Sequence, residues 1–186
     1  VVVTKGNSSK IRVMAGTTSK AAKAAKAARG GKGTPATIAL AQAAVPHLVH
    51  PYAHDPAAVS FGEEAAIALG VPMERVFKTL VADVDGRLVV AVVPVSGSLD
   101  LKALAVAVGG KRATMAEVAA AERITGYVAG GISPIGQRKS LPTVVDSSAL
   151  EHPTVYVSGG RRGLDVELAA SDLIAVAKAT TAPIGR

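Results

Sequence analysis

A lysine interrupts an otherwise apolar, β-branched stretch near the middle of the chain. The stretch Phe77-Lys78-Thr79-Leu80 lies within residues 76–84, whose composition is typical of a strand. Because strand side chains alternate between the two faces of a sheet, Lys78 should point to one face, and Phe77 and Thr79 to the other. A lysine on a strand commonly faces solvent. A lysine held in a cleft is instead a fixed cation, which can polarise a carbonyl group or hold a phosphate.

Two glycine-rich segments could bring backbone close to a ligand. Residues 130–136 read Gly-Gly-Ile-Ser-Pro-Ile-Gly, and residues 158–163 read Ser-Gly-Gly-Arg-Arg-Gly. Adjacent glycines permit positive φ, and their amides can bind an anion or a carbonyl oxygen. The first segment lacks the spacing of a nucleotide-binding fingerprint. In the second, Ser158 and the arginines could meet phosphate or ribose. A tight loop for the first, and a hairpin turn with solvated arginines for the second, remain the simpler interpretations.

The chain offers little for metal or nucleophilic catalysis. It contains no cysteine, which excludes thiolate metal sites and a cysteine nucleophile. His47, His50 and His54 have suitable spacings for metal ligands, but Pro46 and Pro51 break any helix that would align them, so we predict a polar loop and no metal or cofactor. No serine has an obvious base partner. Any hydrolysis would therefore need water or a nucleophile carried by the substrate.

The elements that must position these residues follow from the apolar pattern. With 186 residues, of which 49% are hydrophobic, the chain can build one domain with a substantial core. Capping residues and β-branched runs alternate irregularly, which predicts a mixed α/β fold with a barrel-like mixed sheet flanked by helices. The predicted helices are 35–45, 62–69, 101–108, a helix opened by a capping box at 114–117 and ending near 122, and 171–180 with Ser171 as its cap. The predicted strands are 48–52, 76–84, 88–95, 127–129, 143–146, 154–158 and 164–168.

Charge divides the chain at Gly33. Residues 1–33 hold eight basic residues and no acidic one, whereas the remainder has a net charge of −1. We therefore expect a basic, flexible tail at 1–33, attracted to polyanions without sequence preference, followed by a near-neutral domain at 34–186. The longest apolar run, 88–95, is too short to span a membrane, and we expect a soluble, cytoplasmic protein.

Between Thr34 and about Ala177 the chain carries an ordered series of short motifs. They are Tyr-Ala-His-Asp at 52–55, Phe-Lys-Thr-Leu at 77–80, Leu-Asp-Leu-Lys at 99–102, Thr-Gly-Tyr at 125–127, the 130–137 segment, Leu-Pro-Thr at 141–143, Val-Ser-Gly-Gly at 157–160, Arg-Gly-Leu-Asp at 162–165 and Glu-Leu-Ala at 167–169. In this order the motifs resemble those of the YbaK-type Cys-tRNA(Pro) deacylases, relatives of the editing domain inserted in bacterial prolyl-tRNA synthetases. The resemblance covers essentially the whole domain and excludes residues 1–33.

The resemblance implies specific roles. Lys78 matches the essential lysine of the family, and Gly130 and Pro134 begin and end its Gly-x-x-x-Pro loop, which lies against the acylated 3′ end of the tRNA. Ala53 stands where relatives often carry an acidic residue. The substrate-binding residues implied by the resemblance are Tyr52, Thr79, Gly130, Gly131, Ile132, Ser133, Pro134, Ser158 and Asp165.

The implied activity is the removal of cysteine attached by mistake to tRNA(Pro), with prolyl-tRNA synthetase as the expected partner. A small amino-acid pocket cannot separate cysteine from proline strongly by binding alone, so editing is needed. The substrate's own thiol would attack its ester carbonyl. The alternatives are a deacylase for Ala-tRNA(Pro) or another mischarged tRNA, and a noncatalytic RNA-binding module that uses the basic tail.

Overall fold

Five α-helices, two short 3-10 helices (Met73–Arg75 and Ser147–Glu151) and eight strands are the regular elements of residues 33–186, the part of the chain that the computed structural model describes. The predictions for residues 1–32 lie outside this part. The helices are α1 (Pro35–Gln42), α2 (Phe61–Leu69), α3 (Leu101–Ala107), α4 (Val118–Thr125) and α5 (Ala170–Val176). The strands are β1 (His47–Pro51), β2 (Val76–Val84), β3 (Arg87–Pro94), β4 (Ala113–Met115), β5 (Thr143–Asp146), β6 (Val155–Arg161), β7 (Leu164–Leu168) and β8 (Thr180–Ala182).

Local capping signals explain where three of the helices begin. Thr34 accepts a hydrogen bond from the Thr37 amide at 3.2 Å, directly before the proline that opens α1. Ser60 caps α2, and Asp100 caps α3 by accepting from two backbone amides at 2.9 Å. These helices begin within one residue of the predicted positions because the caps are local interactions.

The predicted capping box at 114–117 is wrong. Residues 113–115 form β4, which pairs with the second half of β2, and α4 begins only at Val118 without a side-chain cap. Residues 113–115 form backbone hydrogen bonds with β2, and this tertiary pairing takes the place of the local cap that Thr114 and Glu117 would have formed.

Two further predicted elements differ in the structure. Residues 127–129 form a turn rather than a strand, and Tyr127 donates its hydroxyl to the Ile135 carbonyl at 2.7 Å. The last helix begins at Ala170, with Ala169 rather than Ser171 at the cap position, and ends at Val176. Its predicted C-terminal part is shortened because residues 180–182 pair with β5 as a parallel strand.

The strands form one mixed sheet in the order β1-β7-β6-β2-β3-β5-β8, with β4 beside the second half of β2. The β2–β3 hairpin turns at Asp85-Gly86, where both residues have positive φ, as the sequence predicts. The pairs β2–β6, β3–β5 and β5–β8 are parallel, and the others are antiparallel. The predicted mixed α/β fold with a mixed sheet flanked by helices is confirmed.

Each face of the sheet is covered by different helices. One face, here called the α1/α5 face, buries Phe77, Val157 and Val166 beneath α1 and α5. The opposite face, the α2/α3 face, carries two separate clusters. Val76 and Tyr156 pack against α2, and the second half of β2 packs against α3. A stretch of β2 is therefore left between the two clusters on this face.

Candidate active site

Three polar side chains occupy the sheet between the two clusters of the α2/α3 face. Ser158 on β6 lies opposite Asp165 on β7. On β2, Phe77 is paired with Val157, and the same parallel register continued by one residue sets Lys78 beside Ser158. Because adjacent strands lie about 4.8 Å apart, Lys78, Ser158 and Asp165 form a line across three strands. We call this line the polar row.

Lys78 is half-buried in this row, with apolar neighbours on either side along its strand. Val76 belongs to the α2 cluster, and Leu80 packs against the α3 cluster. The ammonium Nζ donates a hydrogen bond to the Gly97 carbonyl at 2.6 Å. The lysine is thus held by a backbone acceptor rather than by a carboxylate, so its positive charge is not neutralised by that contact.

Asp165 is a buried carboxylate at the other end of the row. It is 5% exposed, and burial raises its pKa from the ordinary value of 3.8 to about 6. Within residues 33–186 its side chain makes no hydrogen bond and no ion pair. Tyr52 follows β1 nearby, and its pKa is raised to about 12 by burial and by the negative charges of Asp165 and Glu64. Tyr52 is therefore neutral, and hence a hydroxyl donor, at physiological pH.

Ser158 lies where the β6–β7 ladder becomes irregular. Its hydroxyl accepts a hydrogen bond from the Gly160 amide at 3.3 Å, and Gly160 has φ of +96°. The register shifts between Ser158 and Arg161. Such bulges re-aim side chains at the ends of strands. Here the bulge carries the two arginines of the second glycine-rich segment toward the first one.

The first glycine-rich segment packs closely against both α2 and the β6–β7 turn. A Cβ at Gly130, whose φ is +80°, would lie 2.7 Å from the Phe61 ring, and one at Gly131 would lie 2.9 Å from the Arg161 backbone. Only glycine permits both approaches. The Arg162 guanidinium lies 4.7 Å from the centroid of the Phe61 ring and donates to the Ala129 carbonyl at 2.9 Å. The segment is therefore held in a fixed position, and we call Gly130 and Gly131 together the Gly130 wall.

The remainder of this segment turns into the protein. Ser133 is fully buried, and its hydroxyl accepts a hydrogen bond from the Ile135 amide at 3.3 Å. Pro134 is also buried, and Ile132 packs against the α1/α5 core. The Gly131 amide donates to the Val128 carbonyl at 2.9 Å, so this amide is already engaged within the turn. Gly130 is the member of the segment that contacts α2.

Thr79 lies across the sheet from the lysine, as strand alternation predicts. Its hydroxyl oxygen is buried and has no hydrogen-bond partner among the described residues. Because Thr79 follows Lys78 directly, its side chain belongs to the α1/α5 face and does not join the polar row.

A second polar group, which the sequence did not indicate, lies next to the polar row. Glu167 accepts hydrogen bonds from Thr154 at 2.6 Å and from Arg75 at 3.3 Å, and it contacts His50 at 2.9 Å. The Arg75 guanidinium also lies 5.2 Å from the centroid of the Tyr156 ring. We call these five residues the glutamate network. The charges of Glu167 and Arg75 are matched within it.

The histidines do not gather around a common point. His50 contacts Glu167, whereas His54 contacts Glu64 at 2.9 Å and tilts against the Phe61 ring at 5.7 Å. His47 contacts the Val45 carbonyl at 2.8 Å. Over residues 33–186 no three side chains of the metal-ligating types cluster together. Sequence spacing alone did not reveal the two histidine–glutamate pairs, because each joins segments that only the fold brings together.

Two shallow depressions elsewhere on the surface do not coincide with the polar row. One, of about 220 Å³, is lined by Asp83, Asp85, Arg112 and Thr114 at the far end of β2. The other, of about 360 Å³, lies between α3 and β8. Neither combines a half-buried cation with a buried carboxylate, so we place the candidate active site at the polar row. Among the helices of residues 33–186, none has the length and apolar composition needed to cross a membrane.

Comparison with known families identifies the kind of domain that these residues form. Residues 55–176 match the sequence pattern of the aminoacyl-tRNA editing domain, a range that includes the whole polar row and the first glycine-rich segment. The chain belongs to the aminoacyl-tRNA editing domain family. It is accordingly an aminoacyl-tRNA deacylase, and the resemblance noted from the sequence motifs is confirmed.

One curated relative supports the family assignment, and two solved structures share the fold. The chain is 40% identical over 124 residues to EbsC of Enterococcus faecalis, which is described as a Cys-tRNA(Pro)/Cys-tRNA(Cys) deacylase. The matched region covers 66% of this chain and 75% of EbsC. Its fold matches a crystal structure described as a trans-editing enzyme for prolyl-tRNA synthetase, with a TM-score of 0.70, 24% identity, and coverage of 82% of this chain and 95% of the other. A crystal structure of a hypothetical protein gives a TM-score of 0.74 at 22% identity, with coverage of 82% and 99%.

Proposed function

We propose that this deacylase removes cysteine from Cys-tRNA(Pro) and that the cysteine's own thiol is the nucleophile. Two similar proteins support this substrate. EbsC is named for Cys-tRNA(Pro) and Cys-tRNA(Cys), and one solved structure with this fold is described as acting for prolyl-tRNA synthetase. The polar row supports the chemistry.

The observation that carries the proposal is the composition of the polar row. It holds a cation and a buried carboxylate, but among residues 33–186 no serine hydroxyl hydrogen-bonds a histidine. Ser158 is bonded to a backbone amide instead. A serine without a base is a weak nucleophile, whereas a thiol is partly ionised near neutral pH and intrinsically strong. The substrate thus supplies the group that the described residues lack.

The reaction is an intramolecular transesterification. The thiolate sulfur attacks the ester carbonyl carbon, a C–S bond forms, and the bond from that carbon to the ribose oxygen breaks. The products are a cyclic thiolactone and tRNA with a free terminal hydroxyl, whose proton comes from water. The Lys78 ammonium would stabilise the oxyanion, and the Gly130 wall would hold the terminal ribose so that sulfur and carbonyl stay close.

The neutral Tyr52 hydroxyl and the Asp165 carboxyl would hold the amino-acid portion of the substrate. Asp165 lies opposite Ser158, and Tyr52 directly follows β1. The Asp165 side chain has no hydrogen-bond partner within the described residues. A buried acceptor without a partner is suited to an amino group, which carries donors. Ser158, beside Lys78, would contact the ester end.

The substrate experiment compares three acylated forms of one tRNA. Cys-tRNA(Pro) should be deacylated rapidly, whereas Ser-tRNA(Pro) and Ala-tRNA(Pro) should react at least about 100-fold more slowly, because neither carries a thiol. Mass spectrometry of the quenched reaction should detect the thiolactone before it hydrolyses. Equal rates for the cysteine and serine esters would contradict thiol attack and indicate an activated water. Preferential hydrolysis of the alanine ester would instead establish the Ala-tRNA(Pro) alternative.

We further propose that prolyl-tRNA synthetase presents the mischarged tRNA. Residues 34–186 carry a net charge of −1, so this part has little general attraction for RNA. Adding prolyl-tRNA synthetase should therefore raise the deacylation rate at low enzyme concentration. Removing residues 1–33 should weaken RNA binding at low salt but leave deacylation by itself unchanged. An unchanged rate with synthetase, or unchanged binding without the tail, would contradict the respective part.

A further inference from the structure

The contact that orients Lys78 comes from a turn that is not part of the sheet. Gly97 lies between β3 and α3, and its carbonyl accepts the hydrogen bond from Nζ at 2.6 Å. An ammonium group has three donors. One donor is used on Gly97, and two remain to be aimed at a substrate. The position of the Gly97 carbonyl therefore determines where the rest of the cation points.

The turn that contains Gly97 is held in place by residues 184–186. The Ser98 amide donates to the Arg186 carbonyl, and the Arg186 amide donates to the Ser98 carbonyl, both at 2.9 Å. The Asp100 amide donates to the Ile184 carbonyl at 2.7 Å. A Cβ on Gly97 would lie 2.9 Å from the Arg186 carbonyl oxygen, so the two segments are in direct contact.

Residues 184–186 are in turn fixed by a buried carboxylate. Asp146, at the end of β5 and 5% exposed, accepts hydrogen bonds from the Ile184 amide at 2.8 Å and from the Gly185 amide at 2.6 Å. Its other oxygen accepts from the Ser148 amide at 3.0 Å. Burial alone would raise the pKa of Asp146, but these hydrogen bonds outweigh it and lower the pKa, so the group is an ionised acceptor.

We infer that Asp146 and Gly97 are positioning residues for the deacylation reaction, acting through residues 184–186 to aim the Lys78 ammonium. The inference rests on the role proposed above for Lys78. The connection is continuous: Asp146 holds two amides of 184–185, the neighbouring backbone pairs with residues 98–100, and the adjoining carbonyl holds Nζ. Each link is a hydrogen bond of 2.9 Å or less.

The physical consequence is a dependence of turnover, rather than of substrate binding, on this distant carboxylate. Neither Asp146 nor residues 184–186 belong to the polar row or to the Gly130 wall. A displacement of about 1 Å in a group that stabilises the transition state can lower a rate by about 100-fold. Loosening the turn should therefore lower kcat and leave KM for acylated tRNA nearly unchanged.

The experiment uses the full chain, the Lys78→Ala variant, four further single variants and the Lys78→Ala/Gly97→Ala double variant. Gly97→Ala forces the turn away from Arg186, and Asp146→Ala removes the acceptor for the two amides. Asp146→Asn retains one amide oxygen that can accept from them, and so serves as the conservative rescue. Gly110→Ala is the matched control, because its added methyl would lie 2.3 Å from Val84 at the other end of β2, where it can lower stability without touching Lys78.

Single-turnover deacylation of Cys-tRNA(Pro) should separate these variants, measured below all their unfolding temperatures. We expect Gly97→Ala and Asp146→Ala to lower the rate constant by about 10- to 100-fold, Asp146→Asn to restore most of it, and Gly110→Ala to have no effect on it. In a Lys78→Ala background, Gly97→Ala should cause no further loss, because the group that it misplaces is gone.

Each outcome has a distinct meaning. Wild-type rates for folded Gly97→Ala and Asp146→Ala, with an inactive Lys78→Ala, would overturn this inference and leave the proposed function intact. Full activity of Lys78→Ala would instead overturn the proposed role of the lysine. Additive losses in the double variant would also overturn the inference, since they would show that Gly97 acts independently of Lys78. If Gly97→Ala does not fold, the Asp146→Ala and Asp146→Asn pair decides the question.

Discussion

The polar row and the glutamate network lie side by side on the same face of the sheet, yet they treat charge in opposite ways. The Glu167 carboxylate contacts Thr154, Arg75 and His50, so its negative charge is stabilised by hydrogen bonds and by an ion pair with Arg75. In the polar row, Lys78 is bonded only to a carbonyl, and Asp165 has no partner within residues 33–186. Asp165 and Glu167 are two residues apart on β7, yet Glu167 belongs to an ion-paired cluster whereas Asp165 and Lys78 are not paired with each other.

This difference indicates that the glutamate network stabilises the fold, whereas the polar row serves the reaction. Matched charges hold β1, β6 and β7 together through the glutamate network, whereas a buried carboxylate without a partner lowers stability and is retained where chemistry needs it. Substitutions in the polar row should therefore lower activity without lowering stability, whereas substitutions in the glutamate network should lower stability. Lys78→Ala, Glu167→Ala and Asp165→Asn test this division, and Arg162→Ala tests the Gly130 wall.

The largest effect is expected for Lys78→Ala. Loss of a group that stabilises a developing oxyanion lowers the rate by about 100- to 1,000-fold, and the fold should persist because the lysine forms no ion pair. Deacylation of Cys-tRNA(Pro) and circular dichroism measure the two quantities. Lys102→Ala, which removes an exposed lysine on α3, is the control and should have wild-type activity. Unimpaired turnover by a normally folded Lys78→Ala would refute the assignment of the polar row.

Glu167→Ala should act on stability instead. Removing the shared acceptor leaves Arg75 and Thr154 without their partner, at a cost of about 2–3 kcal/mol in the free energy of unfolding. Burial alone would raise the pKa of Glu167, but hydrogen bonds from Thr154 and His50 lower it overall. The stabilisation should thus be lost as pH falls through this lowered value, below 4.5.

Urea unfolding at several pH values measures this effect. Glu167→Gln, which retains one acceptor oxygen, should show an intermediate loss. A folded Glu167→Ala variant that loses turnover but not stability would contradict the assignment of the glutamate network to stability and the polar row to activity.

Asp165→Asn should increase stability at neutral pH. Burial raises the pKa of Asp165 from 3.8 to about 6, so ionisation opposes folding. The penalty is absent below pH 3.8, grows as pH rises toward 6, and is constant above it, where it is on the order of 3 kcal/mol. The free energy of unfolding of Asp165→Asn should therefore exceed that of the wild type at pH 8 but equal it near pH 3.5. A destabilised variant at pH 8 would indicate a charged partner for Asp165.

The smallest effect is expected for Arg162→Ala. This change removes the contact of the guanidinium with the Phe61 ring and its hydrogen bond to Ala129, together worth about 1 kcal/mol. The Gly130 wall should loosen, and kcat/KM should fall by roughly two- to five-fold. Arg161→Ala, at the exposed neighbouring position, is the control for the loss of one positive charge. Equal losses in both variants would indicate a general charge effect instead.

Local interactions explain which parts of the fold were predictable. Thr34, Ser60 and Asp100 cap helices by bonding amides two or three residues away, and Asp85-Gly86 supplies the positive φ that the hairpin needs. Residues 113–115 and 180–182 were not predicted as strands because their pairing partners, β2 and β5, lie far away in sequence. Their own residues carry too short a pattern to compete with a helical signal.

The sequence by itself determined that Lys78 would sit on a strand, that its neighbours would face the other way, and that the motifs belong to an editing deacylase. Alternation and motif order are properties of the chain, so they need no tertiary information. The tertiary structure decided that Lys78 lies in line with Ser158 and Asp165, that Gly97 holds its ammonium, and that Glu167 gathers Arg75 and His50. These relations depend on strand order and register, which join residues up to about 120 positions apart and are set only when the hydrophobic clusters on both faces of the sheet pack together.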